Sequence, residues 1–172
     1  MIEVLRFVGI LNAAVWCGSA IFLTLGLPAV FSPELKKLLT PAGVGFAAEA
    51  VVARFFLLQY WCGVVALTHQ VTEWLYCGRP LRRGSVALVL GMLLVSLAGG
   101  LWLQPKMRAW HATKYFGKTA ALQTEAAQSF AVWHAVSESA NLVVIAGLVY
   151  YLWRVTLPAD GPRLGGFGKI RG

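Results

Sequence analysis

Apolar residues gather into four long runs, separated by short breaks marked by Pro, Gly and charge. The runs extend from Leu5 to Phe31, Phe55 to Tyr76, Ser85 to Leu103 and Phe130 to Val155. At a helical rise of ~1.5 Å per residue, segments of about 19 to 27 residues match a hydrocarbon layer ~30 Å thick. The pattern predicts an all-α, polytopic integral membrane protein: a four-transmembrane-helix bundle with two short interfacial amphipathic helices. The first run is too long for the apolar core of a secretion signal and has no small-residue cleavage site after it, so it reads as a retained helix.

The breaks supply the two short helices. Ser32-Pro33-Glu34 has the form of a helix start, after which Leu35, Leu38 and Leu39 oppose Lys36 and Lys37. Such a segment is expected to lie along the bilayer surface. Thr40-Pro41, with Gly43 and Gly45 behind it, reads as a loosened restart. Gln104-Pro105 is expected to stop the third span. From Lys106 to Ser129, the rings of Trp110, Tyr115 and Phe116 alternate with Lys106, Lys114 and Lys118, which predicts a second interfacial helix. Residues 1–157 form one domain in this reading, and the Gly- and Pro-rich basic segment 158–172 is a flexible tail.

Composition sharpens the class. Of 172 residues, 58% are hydrophobic and only 13% charged, against about a quarter charged in a soluble domain. The net charge of +8 would suggest nucleic acid in a soluble protein. Here the cations flank apolar runs, so they read as topology signals and phospholipid contacts, with the lipid bilayer as the partner and no nucleic acid. Arg79, Arg82 and Arg83 crowd one short loop, which places that loop and both termini on the cytoplasmic side of a bacterial inner membrane. Cys17, Cys62 and Cys77 form no metal-type or redox-type pair, and no disulfide framework is expected.

Polar residues within the runs are the candidates for chemistry, because each costs free energy unless it faces protein or water. His134, Ser137, Glu138 and Asn141 recur at i, i+3, i+4 and i+7, one face of a helix, and are expected to point into the bundle. Gln59, His69 and Glu73 line a similar face of the second span, with Cys62 between them. These residues make either a ligand or proton site or a set of interhelical hydrogen bonds. A haem or metal is a further candidate. His69 and His134 differ in depth by ~20 Å at the helical rise, which argues against one iron between them. His111 and His134 share one side, with Glu138 near, and are the weak metal candidates. No hydrolase order, phosphate loop or Met-rich copper pattern is present.

Certain residues also carry a likeness. Trp16 and Phe22 are followed by Pro28 and Phe31, the third span ends Gln104-Pro105-Lys106-Met107, and the fourth holds Phe130, His134, Ser137, Asn141 and Leu142. Over about residues 10 to 155 this resembles the bacterial family called domain of unknown function 4149, akin to transmembrane-protein-205-like proteins. The resemblance implies a four-helix membrane bundle with helical linkers, and no reaction. Glu138 and His69 stand outside its pattern. Three functions remain in view: a non-enzymatic accessory or assembly subunit, in contact with other membrane subunits or itself; a haem- or metal-binding membrane protein; and a small-molecule or ion carrier using the face from Glu138 to Asn141.

Overall fold

The computed structural model describes residues 2–38, 40–77 and 83–157. Every regular element among them is helical: α1 (Ile2–Gly26), a 3-10 turn (Leu27–Phe31), α2 (Pro33–Leu38), α3 (Pro41–Cys77), α4 (Arg83–Leu97), a π-helical segment (Ala98–Leu103), α5 (Gln104–Phe116) and α6 (Ala120–Thr156). Four helical stretches are long and apolar enough to cross a bilayer: Glu3–Ala29, Pro41–Tyr76, Arg83–Phe116 and Ala120–Thr156. The loop carrying Arg79 and Arg82, and the tail from Pro158, lie outside the described residues.

Two interruptions expected from the sequence, the loosening at Gly43 and Gly45 and the stop at Gln104-Pro105, are helical in the structure, whereas the restart at Thr40-Pro41 holds. Thr40 caps α3: its Oγ1 accepts from the Gly43 amide at 3.2 Å, and Pro41 starts the helix with its preset φ. Gly43 and Gly45 therefore sit inside a 37-residue helix that begins well before Phe55. At Gln104-Pro105 the chain stays helical because the preceding turn widens to π geometry. A wider turn relieves the clash and the missing donor that would make proline a stop.

The expected interfacial helix over 106–129 is corrected in the same way. The real terminator is Gly117, extended at φ −60° and ψ 142°, whose amide donates to the Thr113 carbonyl at 2.8 Å. Thr119 then opens α6, and the Gln123 amide nitrogen ties back to the Gly117 carbonyl at 2.9 Å. Residues 104–130 thus form an antiparallel hairpin of α5 against the start of α6, prolonging the bundle instead of lying across it. Such a 37-residue helix is ~55 Å long, longer than a hydrocarbon layer.

The four long helices form a closed ring in which α1 contacts α3 and α6, and α4 contacts α3 and α6. The core holds Trp16 from α1, Phe55 and Cys62 from α3, Met92 from α4 and Leu148 and Tyr151 from α6. Ala13, Ala20 and Ala66 bring the backbones close. Cys17 and Cys62 are buried free thiols. Arg6 Nη2 donates to the carbonyls of Thr156 and Leu157 at 3.2 and 3.3 Å, so the first and last helical turns share one end of the bundle.

Candidate functional site

The opposite end holds a cluster of which sequence reasoning singled out His111 alone. Gly45 and Glu49 are four residues apart on α3, and Gln104, Arg108, His111 and Tyr115 recur along one face of α5. Where the helices meet, His111 Nδ1 lies 3.4 Å from Glu49 Oε1, and Arg108 Nε lies 3.7 Å from Glu49 Oε2. The His111 side chain is 7% exposed and that of Glu49 19%, whereas Arg108 is 74% exposed and closes the cluster from outside. Neither Glu49 oxygen nor His111 Nδ1 receives a hydrogen bond of good geometry. Gln104 Nε2 reaches the Glu49 backbone carbonyl at 3.4 Å.

The imidazole seat depends on a glycine. A Cβ on Gly45 would fall 2.0 Å from His111 Nε2, so only glycine lets the ring reach the α3 backbone. Aromatic rings complete the enclosure: Phe46 meets His111 edge-on at 5.1 Å, Tyr115 at 5.0 Å and Phe130 at 5.8 Å between centroids. Chemically, this is a carboxyl group facing an imidazole and a guanidinium, in a largely apolar shell. Such a pair can hold a proton or accept from a donor ligand.

The predicted polar residues are placed differently from one another. His69 on α3 is buried against α1, where its Nε2–H donates to the Leu5 carbonyl at 2.9 Å. A Cβ on Gly9 would meet that ring at 2.4 Å. Gln59 is buried and its side chain is hydrogen-bonded to that of Ser96 on α4; Ser96 Oγ also reaches the Met92 carbonyl at 2.9 Å. Asn12 donates to the Cys62 carbonyl at 2.9 Å, joining α1 to α3. Glu73 is partly buried near the other end of α3.

The α6 face does not turn inward as a whole. Asn141 does, donating to Thr24 Oγ1 of α1 at 2.8 Å. Ser137 is half-buried. His134 and Glu138 pair with each other at 3.2 Å, yet their side chains are 50% and 67% exposed, on the outer surface of the helix. A helix face spans seven residues with a drift, so its edges diverge once neighbours pack on one side. The metal candidates both flank Phe130, whose ring lies 5.8 Å from His111 and, stacked, 5.7 Å from His134. Among the described residues no three His, Cys, Asp or Glu side chains converge as a metal-ligating group.

A family profile, Domain of unknown function (DUF4149), matches residues 11–115, more than half of the chain. The chain belongs to this family. No curated protein and no solved structure matches it. The DUF4149 segment runs from α1 through α5 and contains both halves of the Glu49–His111 contact, together with Gly45 and Arg108. His134, Glu138 and Asn141 lie beyond it.

The sequence did hold a signal for Glu49. It is a lone acid in an alanine- and valine-rich tract from Ala47 to Ala53, behind the Thr40-Pro41 helix start. Reading that start as the beginning of α3 places Gly45 and Glu49 on one helical face. The partner on α5 is a tertiary matter, 62 residues away along the chain.

Proposed function

We propose that this DUF4149 protein is embedded in a bilayer by its four long helices and works there as a non-enzymatic accessory or assembly subunit of a membrane complex. The bilayer part is supported by the outer surface. Only 17–28% of the residues in the most apolar window of each long helix are buried within the fold, and Phe7, Phe22, Trp61, Leu94 and Val143 project outward. An outer surface so apolar suits lipid and would drive aggregation in water. The expected placement is a bacterial inner membrane with both termini cytoplasmic, on the strength of the arginines in the segment from Arg79 to Arg83.

The subunit part rests on one observation: the polar side chains of the mid-bundle are used helix to helix, while His134 and Glu138 face out from a lipid-exposed helix. A carboxylate on such a surface costs ~2.5–3.5 kcal/mol if it meets lipid. Contact with another chain removes that cost. An open groove of about 410 Å³ runs along the outside between α1 and α3, lined mainly by apolar side chains such as Phe22, Leu23, Val51 and Leu58. Purification of the tagged protein from native membranes should co-isolate partners in fixed stoichiometry; recovery of a lone monomer in mild detergent would end this reading. Labelling of cysteines placed at Thr119 and Gly84 checks the topology, with only the Gly84 site reacting from the cytoplasm.

A further inference from the structure

The outward face of α6 carries a second pattern. Ala135, Ser139, Leu142, Ala146, Val149 and Trp153 follow one another at spacings of four and three residues, and every one is exposed. That alternation is the heptad seam by which two helices wind together. Three of its six members, Ala135, Ser139 and Ala146, are small, and small residues let transmembrane backbones approach closely. Against lipid, by contrast, alanine and serine offer little surface.

Glu138 borders this seam. It lies about three residues, ~5 Å, from the midpoint between Gln128 and Arg154, which bracket the apolar stretch of α6. Beyond its own His134 at 3.2 Å, the acyl region offers its carboxyl group no donor. From the exposed face of α6 we infer that the seam is the contact between two copies of this chain, side by side about a two-fold axis. The inference rests on the proposed membrane-subunit role and names its first partner.

Self-complementarity selects a second copy. In knobs-into-holes packing of parallel helices, Ser139 of one copy enters the hole made by Ala135, Glu138, Ser139 and Leu142 of the other. Each serine hydroxyl, now bonded to its own Ala135 carbonyl at 2.9 Å, then faces the other copy's carboxylate. The two-fold axis repeats the contact, so each copy supplies one donor and one acceptor. An unrelated apolar helix would satisfy the small-residue seam and bring Glu138 no second donor beside its own His134. His134 stays with its own Glu138 at 3.2 Å.

Cross-linking in intact membranes tests this. Ser139→Cys and Ala146→Cys should each give disulfide-linked dimers on mild oxidation, above the background of the unaltered chain, and Val136→Cys, off the seam, should not. In phosphatidylcholine–phosphatidylglycerol vesicles, Ser139→Leu should raise the dimer dissociation constant, read by energy transfer across protein-to-lipid ratios, about tenfold, or ~1.4 kcal/mol. Phe22→Leu on α1 should leave it unchanged. Absence of cross-links at both seam positions, or a monomer at every ratio, overturns the inference. Co-isolation of other subunits without self-cross-linking removes only the dimer. A dimer with no other partner keeps the seam and removes the larger complex.

Discussion

Two buried histidines, one at each end of the bundle, use the same steric device for different chemistry. His69 presses against Gly9 of α1, and His111 against Gly45 of α3; each is 5% exposed, and each ring occupies the space a Cβ would need. From there they diverge. His69 gives its Nε2–H to a backbone carbonyl at 2.9 Å, a bond that staples α3 to α1. His111 turns Nδ1 towards a carboxyl group at 3.4 Å with a guanidinium behind it, a contact between ionisable groups. The glycine seat fixes where an imidazole sits. The neighbour it faces decides whether it is tied to the backbone or set beside an ionisable side chain.

Steric substitutions should break the comparison most strongly. Gly45→Ala brings a methyl within 2.0 Å of the His111 ring, and Gly9→Ala brings one within 2.4 Å of His69. Each should cost about 1–3 kcal/mol, as overpacking does, with Gly45→Ala the larger. Denaturant titration in mixed micelles reads both; equal stability to the unaltered chain would show that the rings have room to move. If Gly45→Ala is rescued by His111→Ala while Gly9→Ala is rescued by His69→Ala, each seat is specific to its own pair.

Removing hydrogen-bond chemistry should separate the two ends next. His69→Phe keeps the ring and deletes its donor, for an expected loss of about 1 kcal/mol. Glu49→Gln keeps shape and deletes charge. Because neither Glu49 oxygen receives a hydrogen bond, its stability should change by less than ~0.5 kcal/mol. A large loss in Glu49→Gln, measured in the same unfolding assay, would mean that the pair is structural after all.

Smaller effects test the mid-bundle. Asn12→Leu and Asn141→Leu each remove one interhelical bond, worth about 0.6 kcal/mol in a membrane bundle. Their losses should add, since they join different helix pairs. The smallest change is expected at Arg108→Ala. Its guanidinium is 74% exposed and 3.7 Å from Glu49, so stability should shift by no more than a few tenths of a kcal/mol and become insensitive to salt.

Much of the fold was legible because helix length and apolar content are local quantities. The four runs, the Pro33 helix start and the closure of α6 beyond Arg154 all follow from them. Misreadings fell where one residue has two uses. Gly45 reads as a loosener in isolation, yet in the bundle it is the seat of His111. Pro105 reads as a stop, yet a π turn before it carries the helix on. His134, Glu138 and Asn141 read as one face, and only Asn141 reaches across to Thr24.

The amino-acid sequence alone determined the number of long apolar helices, the family and the polar residues that each helix has to place, because hydrophobic length and residue chemistry are carried by each segment independently. Only the packed bundle decided which of those residues meet. Glu49 and His111 are 62 positions apart and come together because α5 continues through Pro105 and lies against α3. Which side of α6 faces inward likewise depends on where α1 and α4 press against it, a property of three helices at once.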